Sequence, residues 1–261
     1  MSALNIFFFR GLSTVGSDNA RFSRLDFGPI HAHYQKAFEE RGARFFPVLG
    51  MGRGTLLEVA SKARKLLEEH PVWQDPYQPV HFLGHSAGGL VARLVLKDLA
   101  DKAQGKVGSL FTIATPHAGS LLASMVVAMP EMHRRSTWIL RTIGFNLRAK
   151  KALFEDLTPE GVRRALPLGD SIPPKVRTGS LVCWAPRSEW CRPLRMAHKL
   201  PALRAFDMPS DGLVERDSQP FGDVYGEIQL DHFRQVGLFG ETDRFLQSCD
   251  LAMDFFKNPR F

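Results

Sequence analysis

The sequence predicts an α/β fold with a mostly parallel central sheet flanked by helices. Short apolar runs alternate along the chain with longer segments whose apolar residues recur at helical spacing. Strands that alternate with helices need crossover connections, which give parallel strands covered on both faces. The chain has 261 residues, enough for one large domain, and we predict a single domain over residues 1–261.

The predicted elements follow in regular order along most of the chain. The predicted strands cover residues 4–9, 43–49, 80–84, 107–114, 178–185 and 224–230. The predicted helices cover residues 31–41, 55–70, 90–101 and 241–257. Thr55 is a typical N-cap residue, and Pro71 is predicted to end the helix that Thr55 begins.

Residues 121–168 interrupt the alternation. Their pattern is mostly helical, with many large apolar side chains and with arginines between them. Because no predicted strands lie within this segment, we predict a helical insertion in the same domain rather than a second domain.

The turn after the third predicted strand, residues 80–84, has the pattern Gly-x-Ser-x-Gly. Gly84 follows the strand, Ser86 stands at the turn, and Gly88 opens the helix. In this context the serine adopts a strained conformation and projects its hydroxyl above the sheet edge. We predict that side chains at the two glycine positions would collide with the neighbouring strand and helix. The sequence therefore predicts that Ser86 is a nucleophile.

A serine nucleophile requires a histidine base and usually a carboxylate that orients the histidine. In sheets of this type the three follow in the order serine, acid, histidine. His232 comes just after the last predicted strand, and of the nine histidines it is the one that also follows a suitable acid loop. Asp211 is the preferred acid because a glycine and two apolar residues follow it, and Asp207 and Asp217 are the alternatives.

The reaction of a serine with a carbonyl develops an oxyanion, which two backbone N–H groups commonly stabilise. One donor is the residue after the nucleophile, which is Ala87 here, and the other lies in the turn after the first strand. That turn is Arg10-Gly11-Leu12, and we predict that Leu12 supplies the second N–H.

The composition limits the other classes of function. The net charge is +7, but no nucleic-acid-binding motif accompanies it, so a solvated basic surface is the favoured interpretation and a nucleic-acid partner is not predicted. The three cysteines have no regular spacing, which favours free thiols over disulfides, although Cys183 and Cys191 are near enough in sequence to pair. The absence of a leader and of a membrane span indicates a cytoplasmic location, with signal-independent export as the alternative.

Four motifs together resemble the bacterial triacylglycerol lipases and esterases of the α/β-hydrolase fold. Gly-His-Ser-x-Gly-Gly covers residues 84–89 and Thr-Pro-His-x-Gly-Ser covers residues 115–120. Asp-Leu-Thr-Pro-Glu follows at residues 156–160 and Ser-Asp-Gly-Leu-Val at residues 210–214, in the family's order.

This resemblance implies the same site as the residue pattern. It implies Ser86, Asp211 and His232 as the catalytic residues, and Leu12 and Ala87 as the oxyanion donors. It also implies that the insertion, residues 121–168, is a lid over an acyl pocket.

Two positions depart from the family pattern. The first oxyanion turn begins Arg10-Gly11, where the family has His-Gly, so the local polarity differs. The family's calcium site uses an aspartate two residues after the histidine, and here that position is Arg234. A cation there disfavours calcium, and we predict no metal and no cofactor.

The resulting prediction is a serine hydrolase of lipid-like acyl esters that works through an acyl-enzyme and makes peripheral contact with a lipid surface. Thioesterase, phospholipase and short-chain esterase activities share this site, and the fold alone does not choose among them. A non-catalytic lipid-binding protein and a peripheral membrane protein are the alternatives outside enzymes. The sequence does not determine acyl length, head group or oligomeric state.

Overall fold

The computed structural model describes residues 3–11, 19–22, 25–49, 54–128, 151–167, 172–199, 206–239 and 242–258. The strands are β1 (Asn5–Phe9), β2 (Asn19–Phe22), β3 (Leu25–Pro29), β4 (Arg44–Pro47), β5 (Val80–His85), β6 (Val107–Ile113), β7 (Arg177–Trp184) and β8 (Asp223–Gln229). The α-helices are α1 (Ala32–Glu40), α2 (Leu56–Glu68), α3 (Pro71–Gln74), α4 (Ala87–Asp98), α5 (Ala100–Ala103), α6 (Leu121–Ala128), α7 (Lys151–Asp156), α8 (Pro159–Ala165), α9 (Arg192–Ala197) and α10 (Asp243–Lys257). Short 3₁₀ turns cover Arg187–Glu189, Arg216–Ser218 and Arg234–Val236.

The main sheet has six strands in the order β4-β1-β5-β6-β7-β8. Every pair of neighbours in it is parallel, which confirms the predicted α/β fold. Since the strands are parallel, their carboxyl ends lie along one edge, and the loops that follow β1, β5, β7 and β8 meet there.

Helices cover both faces of this sheet, and neighbouring side chains of β1 point to opposite faces. The ring centroid of Phe8 lies 5.0 Å from that of Tyr34 in α1. The ring of Phe7 instead lies 5.0 Å from that of His70, the N-cap residue of α3. All residues of β1 are buried, so both faces of this strand are covered.

The helix that begins at Thr55 has the predicted cap. The Thr55 hydroxyl accepts the Glu58 N–H at 3.2 Å, and the Glu58 carboxylate accepts the Thr55 N–H at 2.9 Å. This reciprocal capping box fixes the start of α2. Pro71 follows the end of α2 as predicted, but it also starts the short helix α3. Proline is accepted at the first position of a helix because an N–H there has no acceptor within the helix.

The structure also contains elements that the sequence pattern did not predict. β2 and β3 form an antiparallel hairpin apart from the main sheet. A further helix, α9, lies between β7 and the loop that carries Asp211. The predicted helix to residue 101 is divided at Leu99 into α4 and α5.

The described parts of the insertion are helical, as α6, α7 and α8. Their buried apolar side chains belong to the main core cluster and are Leu122, Ala123, Val126, Leu153, Phe154, Leu157, Val162 and Leu166. These parts of the segment therefore pack against the body of the protein. Residues 129–150, with most of the apolar and arginine-rich sequence, lie outside the described residues.

Cys183, Cys191 and Cys249 are free thiols, and all three are buried. Burial raises the pKa of Cys191 to about 12, with the nearby Asp231 carboxylate as a second cause. Within the described ranges, no helix combines the length and apolar character needed to cross a membrane.

Candidate functional site

The turn after β5 holds Ser86 in a backbone conformation that side chains rarely adopt. Its φ is 55° and its ψ is −137°. The turn is fixed from both sides, because the Ser86 N–H donates to Ile113 O at 2.9 Å and the Thr115 hydroxyl donates to Ser86 O at 2.8 Å. Such strain at an over-determined turn is typical of functional sites.

Glycines allow the backbone to approach this turn closely. A Cβ added at Gly84 would lie 2.4 Å from Gly89 Cα in the helix, and one at Gly88 would lie 2.0 Å from the Phe9 carbonyl oxygen in β1. These distances confirm the predicted collisions with the helix and the neighbouring strand. A Cβ at Gly11 would lie 3.0 Å from Ser86 Oγ, so the turn after β1 passes directly beside the hydroxyl.

The two predicted oxyanion donors belong to the start of α4 and to the turn after β1. Ala87 is the first residue of α4, and an N–H at this position has no acceptor within the helix. Gly11 is beside Ser86, but Leu12, the predicted second donor, lies outside the described residues.

Asp211 and His232 form a direct hydrogen bond. His232 Nδ1 lies 2.7 Å from Asp211 Oδ2, and their side chains are 9% and 0% exposed. A carboxylate only accepts hydrogen bonds, so Nδ1 carries the proton and Nε2 is the free basic nitrogen. The His232 N–H also donates to Asp211 O at 2.9 Å, which ties the loop after β8 to the loop after β7.

Asp211 is held by further donors. Its Oδ1 accepts the N–H groups of Leu213 and Val214 at 2.9 and 2.8 Å, and its Oδ2 also accepts Gln235 Nε2 at 2.9 Å. Burial alone would raise the pKa of Asp211, but the charge of His232 and these hydrogen bonds outweigh burial and lower that pKa. The carboxylate is therefore ionised at neutral pH.

The other candidate acids lie elsewhere. Asp207 is exposed and lies 3.6 Å from the Arg187 guanidinium. Asp217 lies in the 3₁₀ turn that follows the acid loop. Asp231 is buried and accepts the Cys191 N–H at 3.1 Å, so its carboxylate is used in a different contact.

Arg234, at the position where the family has a calcium ligand, forms an ion pair with Asp231. Its Nη1 lies 3.1 Å from Asp231 Oδ2 and also donates to Glu189 O at 2.6 Å. The guanidinium thus neutralises the carboxylate that faces it.

Ser86 and His232 line the same small cavity, whose volume is ≈ 70 Å³. Its other lining residues are mostly apolar and are Pro116, Ser120, Leu122, Ala123, Phe154, Leu157, Leu213, Val214 and Phe233. In the described part of the chain no hydrogen bond joins Ser86 Oγ to His232, and such bonds are often long before substrate binds. The structure therefore brings the predicted serine, acid and histidine to one edge of the sheet.

The start of the insertion is tied to the acid loop by Glu215. Its Oε1 accepts the Leu122 N–H at 3.0 Å and the Ser120 hydroxyl at 3.4 Å. Burial raises the pKa of this carboxyl. Helix α6, which contributes Leu122 and Ala123 to the cavity wall, is thereby fixed to the loop that presents Asp211.

Two residues of the site were not identified from the sequence. Gln235 is completely buried and contacts both Asp211 and His85. His85 precedes the serine, and its ring centroid lies 5.0 Å from that of His232. Burial, and secondly the charge of His232, lowers the pKa of His85 to about 3, so this imidazole is neutral.

A buried neutral histidine makes stability depend on pH. Between the folded pKa of about 3 and the ordinary value of 6.5 the unfolded chain binds a proton at His85 that the native protein does not. Stability therefore rises with pH in this window, with a limiting slope of about 1.4 kcal/mol per pH unit for one group. We expect His85→Gln to reduce the slope of the unfolding free energy, measured by urea denaturation between pH 5 and pH 6.5. Equal slopes in the wild type and the variant would contradict a neutral His85.

The sequence is similar to a known lipase and matches one family model. Residues 63–129 match the family model described as a PGAP1-like alpha/beta domain. Triacylglycerol lipase 2 of Saccharomyces cerevisiae is 29% identical over 167 residues, which are 61% of this chain and 46% of the yeast protein. The chain thus matches about half the length of that relative.

Solved structures of lipases and esterases have the same fold. A metagenomic carboxyl esterase, MGS0156, aligns with a TM-score of 0.69 and 17% identity over 97% of this chain and 77% of its own. Lipase 1 from Pelosinus fermentans aligns with a TM-score of 0.67 and 14% identity over the whole of both chains. Staphylococcus hyicus lipase aligns with a TM-score of 0.63 and 16% identity over 97% of this chain and 95% of its own. The resemblance indicated by the motifs is therefore confirmed, and the chain has the α/β-hydrolase fold of these lipases and esterases.

Proposed function

We propose that the protein is a serine hydrolase of carboxylic esters that works through an acyl-enzyme. The observation that carries this proposal is that the strained Ser86 and His232, the partner of the buried Asp211, line one mostly apolar cavity. The similarity to a yeast triacylglycerol lipase and to solved lipases and esterases supports the same class of reaction.

In the proposed mechanism His232 Nε2 takes the proton of the Ser86 hydroxyl as its oxygen attacks the ester carbonyl carbon. The carbonyl oxygen becomes an oxyanion, which accepts the N–H of Ala87 and that of a residue in the turn after β1, with Leu12 still the predicted donor. His232 then returns the proton to the departing alcohol, and the acyl group stays on Ser86. A water molecule gives a proton to His232 and attacks the acyl-enzyme. His232 then returns this proton to Ser86 Oγ as its bond to the acyl carbon breaks and the carboxylic acid leaves.

Asp211 has two effects on this cycle. Its hydrogen bond at 2.7 Å holds the proton of His232 on Nδ1, which leaves Nε2 free to act as a base. Its negative charge stabilises the imidazolium that forms when His232 takes the serine proton. Both effects are strong because the pair is almost completely buried.

The cavity suits an acyl group because its wall is mostly apolar. Its ≈ 70 Å³ is far below the ~300–1,000 Å³ of typical ligand pockets. A short acyl group fits such a space, whereas a long acyl chain requires the wall to move. Within the insertion, α6 is held by Glu215. Such a movement would therefore displace Phe154 and Leu157, which line the cavity from outside α6.

We therefore propose, as a second part of this function, that residues 121–168 act as a lid which opens at a lipid surface. The apolar residues and arginines of this segment suit contact with acyl chains and anionic head groups. Phospholipids and thioesters are alternative substrates of the same site. Hydrolysis of p-nitrophenyl esters of increasing length, beside triglyceride emulsions, phospholipid vesicles and an acyl thioester, separates these activities from one another and from lipid binding without turnover.

We expect Ser86→Ala to abolish ester hydrolysis while the protein stays folded. Loss of the nucleophile costs on the order of 10⁶-fold in kcat in triads of this kind. The measurement is the initial rate with p-nitrophenyl butyrate, together with a circular dichroism melting curve. A variant that is folded and keeps more than a few per cent of the wild-type rate would show that Ser86 is not the nucleophile.

We expect Asp211→Asn to lower kcat by several decades, because an amide stabilises the wrong tautomer of His232; in a serine protease this change costs ~10⁴-fold. Asp207→Asn is the matched control, since Asp207 is an exposed aspartate in the same stretch of chain whose side chain pairs with Arg187. The control should retain nearly the full rate. If the larger loss occurs in Asp207→Asn, or in Asp217→Asn, the acid has been assigned to the wrong residue.

We expect Trp138→Ser with Ile139→Ser to reduce hydrolysis of a triglyceride emulsion severalfold and to spare p-nitrophenyl butyrate, because a lid surface matters only at an interface. Leu57→Ser is the control, since Leu57 is an apolar residue of α2 with 59% exposure outside the insertion. Equal losses on the two substrates would contradict the lid proposal.

A further inference from the structure

Gln235 lies in the 3₁₀ turn that follows His232 and is completely buried. Its amide nitrogen lies 2.9 Å from Asp211 Oδ2 and 3.2 Å from Leu230 O. Its amide oxygen lies 2.9 Å from His85 Nε2. One glutamine side chain therefore connects the buried acid of the site with the histidine that precedes the serine.

These three contacts determine the orientation of the Gln235 amide. The carboxylate of Asp211 and the carbonyl of Leu230 only accept hydrogen bonds, so both must face the NH₂ group. With the amide rotated by half a turn, its oxygen would face two acceptors without a proton between them, at a high cost in a buried site. The amide oxygen therefore faces His85 and accepts a proton from Nε2.

The same argument determines the tautomer of His85. A neutral imidazole carries one proton, and the Gln235 oxygen requires that proton on Nε2. His85 also contacts Tyr34, with ring centroids 6.3 Å apart, and His232, with centroids 5.0 Å apart. A neutral His85 adds no positive charge beside His232, so it does not oppose protonation of that ring.

Gln235 shares one oxygen atom with His232. Asp211 Oδ2 accepts His232 Nδ1 at 2.7 Å and Gln235 Nε2 at 2.9 Å, whereas Oδ1 accepts two backbone N–H groups of its own loop. The backbone groups hold Oδ1, and Gln235 is the side chain that holds Oδ2 beside the histidine. Rotation of the carboxylate away from His232 would break both of these contacts.

We propose that Gln235, oriented by His85, is a positioning residue that keeps Asp211 Oδ2 directed at His232 Nδ1 and so maintains the tautomer in which His232 is a base. This inference rests on the proposed function for its effect on turnover, but not for its effect on the tautomer of His232.

The test uses Gln235→Met, which keeps the length of the side chain and removes its donor and acceptor. With a soluble p-nitrophenyl ester we expect kcat to fall on the order of 10²-fold, less than the ~10⁴-fold that accompanies loss of the correct tautomer. KM should remain within about twofold, since Gln235 is not among the residues that line the cavity. A kcat equal to that of the wild type would overturn the proposal.

Gln219→Met is the matched control for the cost of removing a buried amide. Gln219 is also completely buried and bonds to the backbone of Cys183 and Val214. Among the described residues, no hydrogen bond joins its side chain to Asp211 or His85. The control should lose stability without the selective loss of kcat. Equal kcat losses in the two variants would mean that Gln235 has only a structural role and would overturn the proposal.

Two variants of His85 test the other end of the connection and keep the proposal testable if Gln235→Met does not fold. His85→Gln retains an N–H donor near the position of Nε2, whereas His85→Leu removes it. We expect kcat to fall in His85→Leu and to recover in His85→Gln. Equal kcat values in the two variants would overturn the part assigned to His85.

A nitrogen-15 spectrum of the histidine rings gives a measurement that does not need turnover. In the wild-type protein we expect His85 as the Nε2–H tautomer and neutral His232 as the Nδ1–H tautomer. In Gln235→Met the signals of His232 should indicate a mixture of tautomers, and in Gln219→Met a single one. A single Nδ1–H tautomer in Gln235→Met would overturn the proposal, whereas absent ester hydrolysis by the wild type would count against the proposed function alone.

Discussion

A carboxylate without contact with water needs hydrogen-bond donors in place of the water it has lost, and Asp211 is such a group. It is 0% exposed and accepts hydrogen bonds from two backbone N–H groups, a glutamine and a histidine. The two backbone donors belong to the acid loop, and Gln235 and His232 belong to the segment after β8. The arrangement of the site depends on satisfying this one charge.

The parallel sheet makes this possible. The loops after β7 and β8 leave neighbouring strands at the same edge, so that a backbone hydrogen bond from His232 to Asp211 O joins them. The serine turn reaches the same edge because β5 is parallel to these strands. Gly88 allows α4 to rest against the end of β1. Glu215 then ties α6 to the acid loop, so the cavity wall and the acid are supported by one set of contacts.

The predictable parts of the structure are those that depend on local pattern. The parallel strands follow from short apolar runs, and the turn at Ser86 follows from the glycines on either side of it, because both signals lie within a few residues. The hairpin of β2 and β3 was missed since its strands are short and the segment before Asn19 is polar. The pairing of Asp211 with His232 agrees with the predicted order along the chain, whereas the part of Gln235 was not visible, because it contacts His85, 150 residues away in sequence. Contacts of this kind depend on how two turns meet in space, and no local pattern encodes them.

The burial of all three thiols means that the native protein offers no cysteine thiol to an electrophile in solution. Cys183 lies in β7 and Cys249 in α10, and both are 0% exposed. Cys191 lies directly before α9 and is 3% exposed. A thiol-reactive dye would therefore label the protein only as these elements separate, and labelling at each cysteine would report the opening of a different part of the fold. The chain thus carries its own probes of local unfolding, with no cysteine introduced by design and none to be removed.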